Sequence, residues 1–373
     1  MKKKILVVAS PWLGGSGMVA FETAKELSKR GYEVHFLSYE TAFRAESGKE
    51  NIKFHKVVGF SYPLFPFPIY ELALADEIAA IVQKENIDII HAHYGILFGH
   101  VSLLAKNMLA HFGKSVKVII TFHGSDVLGF NLEKPGHVVP KNLNKWLIHG
   151  ADVITVPSEN LKKNLLKIYG IEKDITIVPN FIDEEVFHPV EKSLTEPLFI
   201  HVSNFRKVKQ PLVTVQIFEQ VVKEFPKAKM LFVGDGPEKK VVREYVKKNK
   251  IRHVTFLKSV KSNKEVAALY QKAHVLLLPS LYESFSLAAL EAQACGTPVI
   301  ATNVGALPKV VLHGKTGYLA RPADVDKHAK QALKLVRSEK LWKSMSVAAV
   351  RNAQQYTNDK VMHQYTQIYD ALN

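Results

Sequence analysis

The chain has 373 residues, 47% of them hydrophobic and 23% charged, with a formal net charge of +15 and a single cysteine. That length exceeds what one core usually holds and sets the expectation at two domains. The balance excludes a disordered chain, no run approaches the ~20 apolar residues of a membrane span, and the lone Cys295 excludes a disulfide framework and agrees with a reducing cytoplasm.

Lys2-Lys3-Lys4 before Ile5-Leu6-Val7-Val8-Ala9 has the outline of a signal peptide, but the apolar stretch is too short and reads as a first buried strand. Strand and helix signals then alternate: a helix over 18–29, strands at 33–38 and 52–58, a helix over 71–85 and a strand at 88–91. A helix near 101–111 leads to strands at 117–121, 153–156 and 176–178. Strands separated by helices predict a parallel sheet covered on both faces. The proline-broken aromatic segment 61–70 is expected to line a cleft or act as a lid. The pattern pauses over 188–197, a polar stretch expected to be a linker. It resumes with strands at 198–202, 229–233, 254–257, 275–279, 299–302 and 317–320, and an amphipathic segment at 359–372 closes it. The fold class expected is therefore α/β with two parallel-sheet domains, 1–187 and 198–356, and ligands at the carboxyl ends of the strands in a cleft between them.

The charge is uneven. Residues 1–187 hold 21 Lys and Arg against 20 Asp and Glu, whereas 188–373 hold 29 against 15. A phosphate-bearing substrate, an anionic membrane face and nucleic acid compete to explain the excess, beside plain solvated helix faces. No nucleic-acid motif accompanies it, so no nucleic-acid partner is expected.

The most informative stretch follows the apolar run at 275–279. Glu283 lies in the strand's exit loop, and Glu291 stands about two turns into the next helix. A carboxylate can accept from two sugar hydroxyls at once, and a helix start between the two acids offers N–H groups to a diphosphate. Two solvated acids on an amphipathic helix is the alternative. Arg206 and Lys209, after the first strand of the second half, could hold a diphosphate and stabilise it as a leaving group; a generic basic loop competes with that reading. Gly234-Asp235-Gly236 is a tight turn at the same edge. Gly14-Gly15-Ser16-Gly17 precedes the first helix and lets a ligand approach the backbone, although it lacks dinucleotide spacing. His123, after a strand, could donate to a sugar hydroxyl. His91 and His93 face one way on a strand, but no third ligand is evident, so no metal site is expected. Asp324 and Asp326 read as helix capping rather than metal ligation. Cys295 reads as a small core residue rather than a nucleophile.

Together these motifs resemble the retaining, metal-independent glycosyltransferases of family 4, which have the GT-B fold of two facing Rossmann-like domains. The resemblance rests on Gly14-Gly15-Ser16-Gly17, His123-Gly124-Ser125-Asp126, Arg206 with Lys209, Gly234-Asp235-Gly236 and the Glu283/Glu291 pair, in order along the whole chain. It implies that a last helix, 357–373, crosses back onto the first domain. Within the family, Phe43-Arg44, residues 89–94, Asn180-Phe181-Ile182-Asp183 and residues 201–209 are similar to the group that opens bacillithiol biosynthesis. That group moves N-acetylglucosamine from UDP to L-malate with retained α configuration. Many family members have Gly-Arg where Ser203-Asn204 stands, and Gly where Ser286 stands.

The resemblance implies roles. His123, Arg206, Lys209 and Glu283 would serve the chemistry. Gly15, Asn204, Gly234, Phe285, Ser286, Leu287 and Glu291 would bind the donor. Ser16, Tyr94, Thr121 and Arg44 would face the acceptor. UDP-N-acetylglucosamine and L-malate are the partners implied, with no cofactor and no metal. The basic second half leaves room for weak contact with an anionic membrane and for a lipid or saccharide acceptor there. A UDP-sugar 2-epimerase shares the architecture and is a further alternative; the oligomeric state stays open.

Overall fold

The computed structural model describes residues 2–10, 15–39, 51–57, 70–129, 140–258, 260 and 262–372. They form two compact units, Met1–Pro179 with Asp359–Asn373, and Asn180–Asn358. Among the described residues no helix is long and apolar enough to cross a membrane.

The first unit holds seven strands: β1 Lys4–Val8, β2 Glu33–Ser38, β3 Ile52–Lys56, β4 Ile89–His93, β5 Lys117–Thr121, β6 Val153–Val156 and β7 Thr176–Ile177. They form one sheet in the order β3-β2-β1-β4-β5-β6-β7, parallel throughout. The order reverses between β1 and β4, and a crevice opens outside the strand ends at such a reversal. β1, β4 and β5 are almost wholly buried, as a sheet covered on both faces requires.

The second unit repeats the plan with β8 Leu198–Val202, β9 Lys229–Val233, β10 Val254–Leu257, β11 Val275–Leu278, β12 Val299–Thr302 and β13 Gly317–Ala320. Their order is β10-β9-β8-β11-β12-β13, again all parallel, with the reversal between β8 and β11. Alternate residues feed two separate cores. Phe199, Phe232, Val275, Leu277 and Ile300 pack on one face, and Ile200, Val233, Leu276, Leu278 and Val299 on the other. The expected strands therefore stand where the alternation put them. Cys295 is buried among the second of these cores, its thiol pushed up to about 12 by burial, which suits a core residue and not a nucleophile.

Residues 188–197, expected as a linker, belong to the second unit. Leu194 joins its core, and Lys192 Nζ donates to the carbonyls of Tyr270 and Ala273 and to Thr297 Oγ1. A polar stretch without periodicity hid an ammonium with three fixed acceptors; burial lowers its pKa to about 8.

The last helix, Asn358–Ala371, packs on the first unit. Arg30 pairs with Asp359, and Tyr32 donates to Asp370. Its deepest contact is Tyr369, whose hydroxyl lies 2.6 Å from His91 Nδ1. His91 Nε2 lies 2.7 Å from Thr121 Oγ1, itself 2.6 Å from Thr155 Oγ1. All four residues are buried, so each polar atom depends on the next. Tyr369→Phe should cost about 1–3 kcal/mol, because it strips one ring nitrogen of its partner inside the core. Urea unfolding of the variant measures this as a lower midpoint at unchanged slope.

Candidate functional site

In the second unit the site grows from the reversal point. The β8 exit, Ser203 to Gln210, contains a short 3-10 turn at Lys207–Lys209, and the β11 exit runs from Ser280 to Ser286. The two loops are tied by the Leu281 N–H, which donates to Val208 O at 2.8 Å. Lys209 Nζ donates to Glu283 Oε1 at 2.8 Å, and Ser280 Oγ donates to the same oxygen at 2.8 Å. Glu283 is only 6% exposed, so its charge is held by fixed partners and not by water. Its carbonyl accepts from Ala306 N–H at 2.9 Å. A Cβ on Gly305 would meet that carbonyl oxygen at 2.1 Å, so the β12 exit can approach only as glycine. Gly234 plays the same part after β9: a Cβ there would meet Ser203 O at 1.9 Å.

The β8 loop has its own internal support, which sequence reasoning missed. His201 is fully buried, and burial lowers its pKa to about 4, so the ring is neutral. Leu277 O can only accept, so His201 Nδ1–H donates to it at 3.0 Å. His201 Nε2 then accepts from Ser203 Oγ–H at 2.8 Å, and Ser203 Oγ accepts from Phe205 N–H at 3.1 Å. This fixes the turn that carries Asn204, Arg206 and Lys209, with Phe205 at φ 44°.

Glu291 lies on the helix Leu287–Ala294, whose N-cap is Ser286. Ser286 holds φ 90° and ψ 84°, a left-handed conformation that favours glycine, and its Oγ accepts from Ala289 N–H at 3.4 Å. Phe285 is buried and packs edge-on against Tyr356, while Leu287 opens the helix. The arrangement presents a carboxylate, a cation and a helix start at one sheet edge. That set can hold a polyhydroxylated group bearing phosphates.

In the first unit, β1, β4 and β5 bring Gly15, Ser16, Tyr94 and His123 to one sheet edge. Gly15 opens the helix Gly15–Lys29 and is exposed. Tyr94 holds φ 91°, an outlier for a bulky residue, and its hydroxyl lies 3.0 Å from Ser125 Oγ. Asp126, quoted in a motif but given no role, organises both exits. Its carboxylate accepts from the N–H groups of His123, Gly124 and Gly95 at 2.7–3.2 Å. Burial nevertheless raises its pKa to about 6.

One expectation changes. Thr121 does not face an acceptor: it is buried, and its hydroxyl is committed to His91 and Thr155. Strand alternation turned it into the sheet's covered face. His91 spends both ring nitrogens on Tyr369 and Thr121. Asp324 caps the helix Val325–Val336 through Lys327 N–H. Among the described residues, Glu33, His35 and Glu85 bring three ligand atoms together, yet Lys53 Nζ lies 2.8 Å from Glu33 and 3.3 Å from Glu85 and supplies the cation there. Gly14, Arg44 and most of 61–70 fall outside the described residues.

Ser286→Gly should raise stability by roughly 1 kcal/mol: relief of a left-handed side chain outweighs a long cap bond and the added freedom of the unfolded chain. Thermal unfolding reads this directly, and an unchanged or lower midpoint would place the strain elsewhere.

A family model described as Glycosyltransferase Family 4 matches residues 13–186, and one described as Glycosyl transferases group 1 matches residues 182–353. The N-acetyl-alpha-D-glucosaminyl L-malate synthase of Bacillus anthracis is 38% identical over 99% of this chain and 97% of its own. Among solved structures, the sucrose-phosphate synthase of Thermosynechococcus elongatus superposes with a TM-score of 0.82 at 20% identity, over 100% of this chain and 99% of that one. Anabaena Alr3699/HepE in complex with UDP-glucose gives 0.81 at 16%, over 99% and 100%. The paired parallel sheets are those of the GT-B fold. With both halves matched in order and a relative aligned almost end to end, the chain belongs to glycosyltransferase family 4 and is a glycosyltransferase.

Proposed function

We propose that this enzyme moves N-acetylglucosamine from UDP-N-acetylglucosamine to the hydroxyl of L-malate, retaining the α configuration and needing no metal. The observation that carries the reading is the 38% identity, over nearly the whole length of both chains, to a protein named for that product. UDP as the carrier draws support from the UDP-glucose complex of a fold neighbour. The reaction belongs to the cytoplasm, in keeping with one buried thiol and no disulfide.

Each side chain then takes a role. Glu291 accepts from the ribose hydroxyls and Glu283 from the sugar. Arg206 and Lys209 hold the diphosphate, with Gly15, Asn204, Gly234 and the amides of Phe285, Ser286 and Leu287 around it. His123 contacts the sugar. Ser16 and Tyr94 face the malate, joined by Arg44. The anomeric carbon loses the diphosphate oxygen and gains the malate hydroxyl oxygen on the same face, and the departing diphosphate takes the hydroxyl proton. No enzyme nucleophile takes part. A second reading, a lipid or saccharide acceptor at an anionic membrane, draws on the basic excess of residues 188–373.

UDP release from UDP-N-acetylglucosamine, with and without L-malate and without added metal, tests the proposal. Malate-dependent release with a glycosyl-malate product by mass is the expected result. Release without malate would instead favour an isomerase, and no release would move the search to lipid and saccharide acceptors. Arg206→Ala and Lys209→Ala should each lower kcat on the order of 10²-fold while donor KM moves less, because leaving-group charge grows in the transition state. Unchanged kcat in both would remove these residues from the chemistry.

A further inference from the structure

β4 ends in His93, a residue that the roles above do not use. Its side chain is 1% exposed, and its ring lies 4.2 Å from that of His91. Nδ1 lies 3.2 Å from His123 Nε2, with the two rings 5.3 Å apart and inclined by 29°. Nε2 has no hydrogen-bond partner among the described residues. An apolar side chain would fill this end of a buried strand at lower cost, because an imidazole placed there carries one polar atom that nothing satisfies. What the ring adds over an apolar residue is its bond to His123.

We propose that His93 is a positioning residue that sets the tautomer of His123, holding its proton on Nδ1. This rests on the reading of His123 as the sugar contact. Burial keeps both rings neutral, so each carries one proton. Two arrangements satisfy the bond between them. In one, His123 Nε2–H donates to His93 Nδ1, and His93 must then bury an N–H with no acceptor. In the other, His93 Nδ1–H donates to His123 Nε2, and His93 leaves only a lone pair unsatisfied. Orphaned buried N–H groups are the rarer of the two, so the second arrangement holds. His123 then has Nδ1–H as its donor while Asp126 fixes its backbone N–H. Backbone and ring are thus oriented by separate groups before a sugar binds.

The test is 15N NMR of histidine-labelled full-length protein without substrate, which separates it from the identity of donor and acceptor. Wild type should show His123 protonated at Nδ1, and His93→Leu should shift that proton to Nε2 in part of the population. His93→Leu should also lower kcat at least tenfold with donor KM little changed, and His93→Asn, whose amide can donate from the same place, should recover part of the rate. A wild-type spectrum with His123 protonated at Nε2 would overturn the proposal. So would a His93→Leu variant with unchanged tautomer and turnover. If His93→Leu does not fold, the wild-type spectrum and the His93→Asn variant decide the matter by themselves.

Discussion

The Lys209–Glu283 pair links the two loops that leave the reversal point of the second sheet, and the geometry of that edge depends on it. Glu283 is nearly sealed from water, and its carboxylate is met instead by Lys209 and Ser280. Losing the lysine would leave a buried anion unpaired, a cost of several kcal/mol in buried pairs, reduced here because Lys209 is a quarter exposed. The same ammonium is the cation assigned to the diphosphate. Under the proposed roles a bound donor and Glu283 draw on one charge, which would couple the grip on the sugar to the grip on its leaving group. The close approach of Gly305 to the Glu283 carbonyl holds the backbone of the exit loop against the β12 exit.

The first unit solves a different problem with neutral groups. Tyr369, His91, Thr121 and Thr155 form a buried chain of short hydrogen bonds under the strand ends, and His93 and His123 stand above it. Burial lowers the pKa of all three histidines, those of His91 and His123 to about 3, so none brings a positive charge to this edge at neutral pH. Neutral imidazoles suit sugar hydroxyls, which need direction more than charge. The one ionisable acid in the group, Asp126, is enclosed by three backbone N–H groups and acts on loop shape.

The sheet plan was legible in the chain because fully buried parallel strands are short apolar runs, and 117–121, 198–202 and 275–278 stand out as such. The placement of Glu283 in the exit loop of an apolar strand and of Glu291 on the helix that follows was legible in the same way. Thr121 misled because a polar residue at a strand end looks available, whereas strand alternation and β6 beside it turned its hydroxyl into a covered layer. His93, His201 and Asp126 were hidden for the opposite reason. Each acts through a partner on another strand or loop, and such a pairing depends on register that composition and spacing do not carry. The stretch 188–197 failed as a linker because one buried ammonium, Lys192, can dock a polar segment with no hydrophobic period at all.

Ser203 and Ser286 stand where the family pattern carries glycine, and the structure gives both the same physical meaning. Each hydroxyl accepts a backbone N–H two or three residues ahead, Phe205 for Ser203 and Ala289 for Ser286. Glycine leaves such turns free and their amides open; serine closes the turn and consumes an amide. Fewer backbone donors then remain for an anion at these two loops. Under the proposed roles the electrostatic work shifts to side-chain cations at the same edge, where Lys209 is anchored by Glu283. A loop so closed loses less freedom when a ligand arrives, and the binding energy it would have spent on ordering remains available to the transition state.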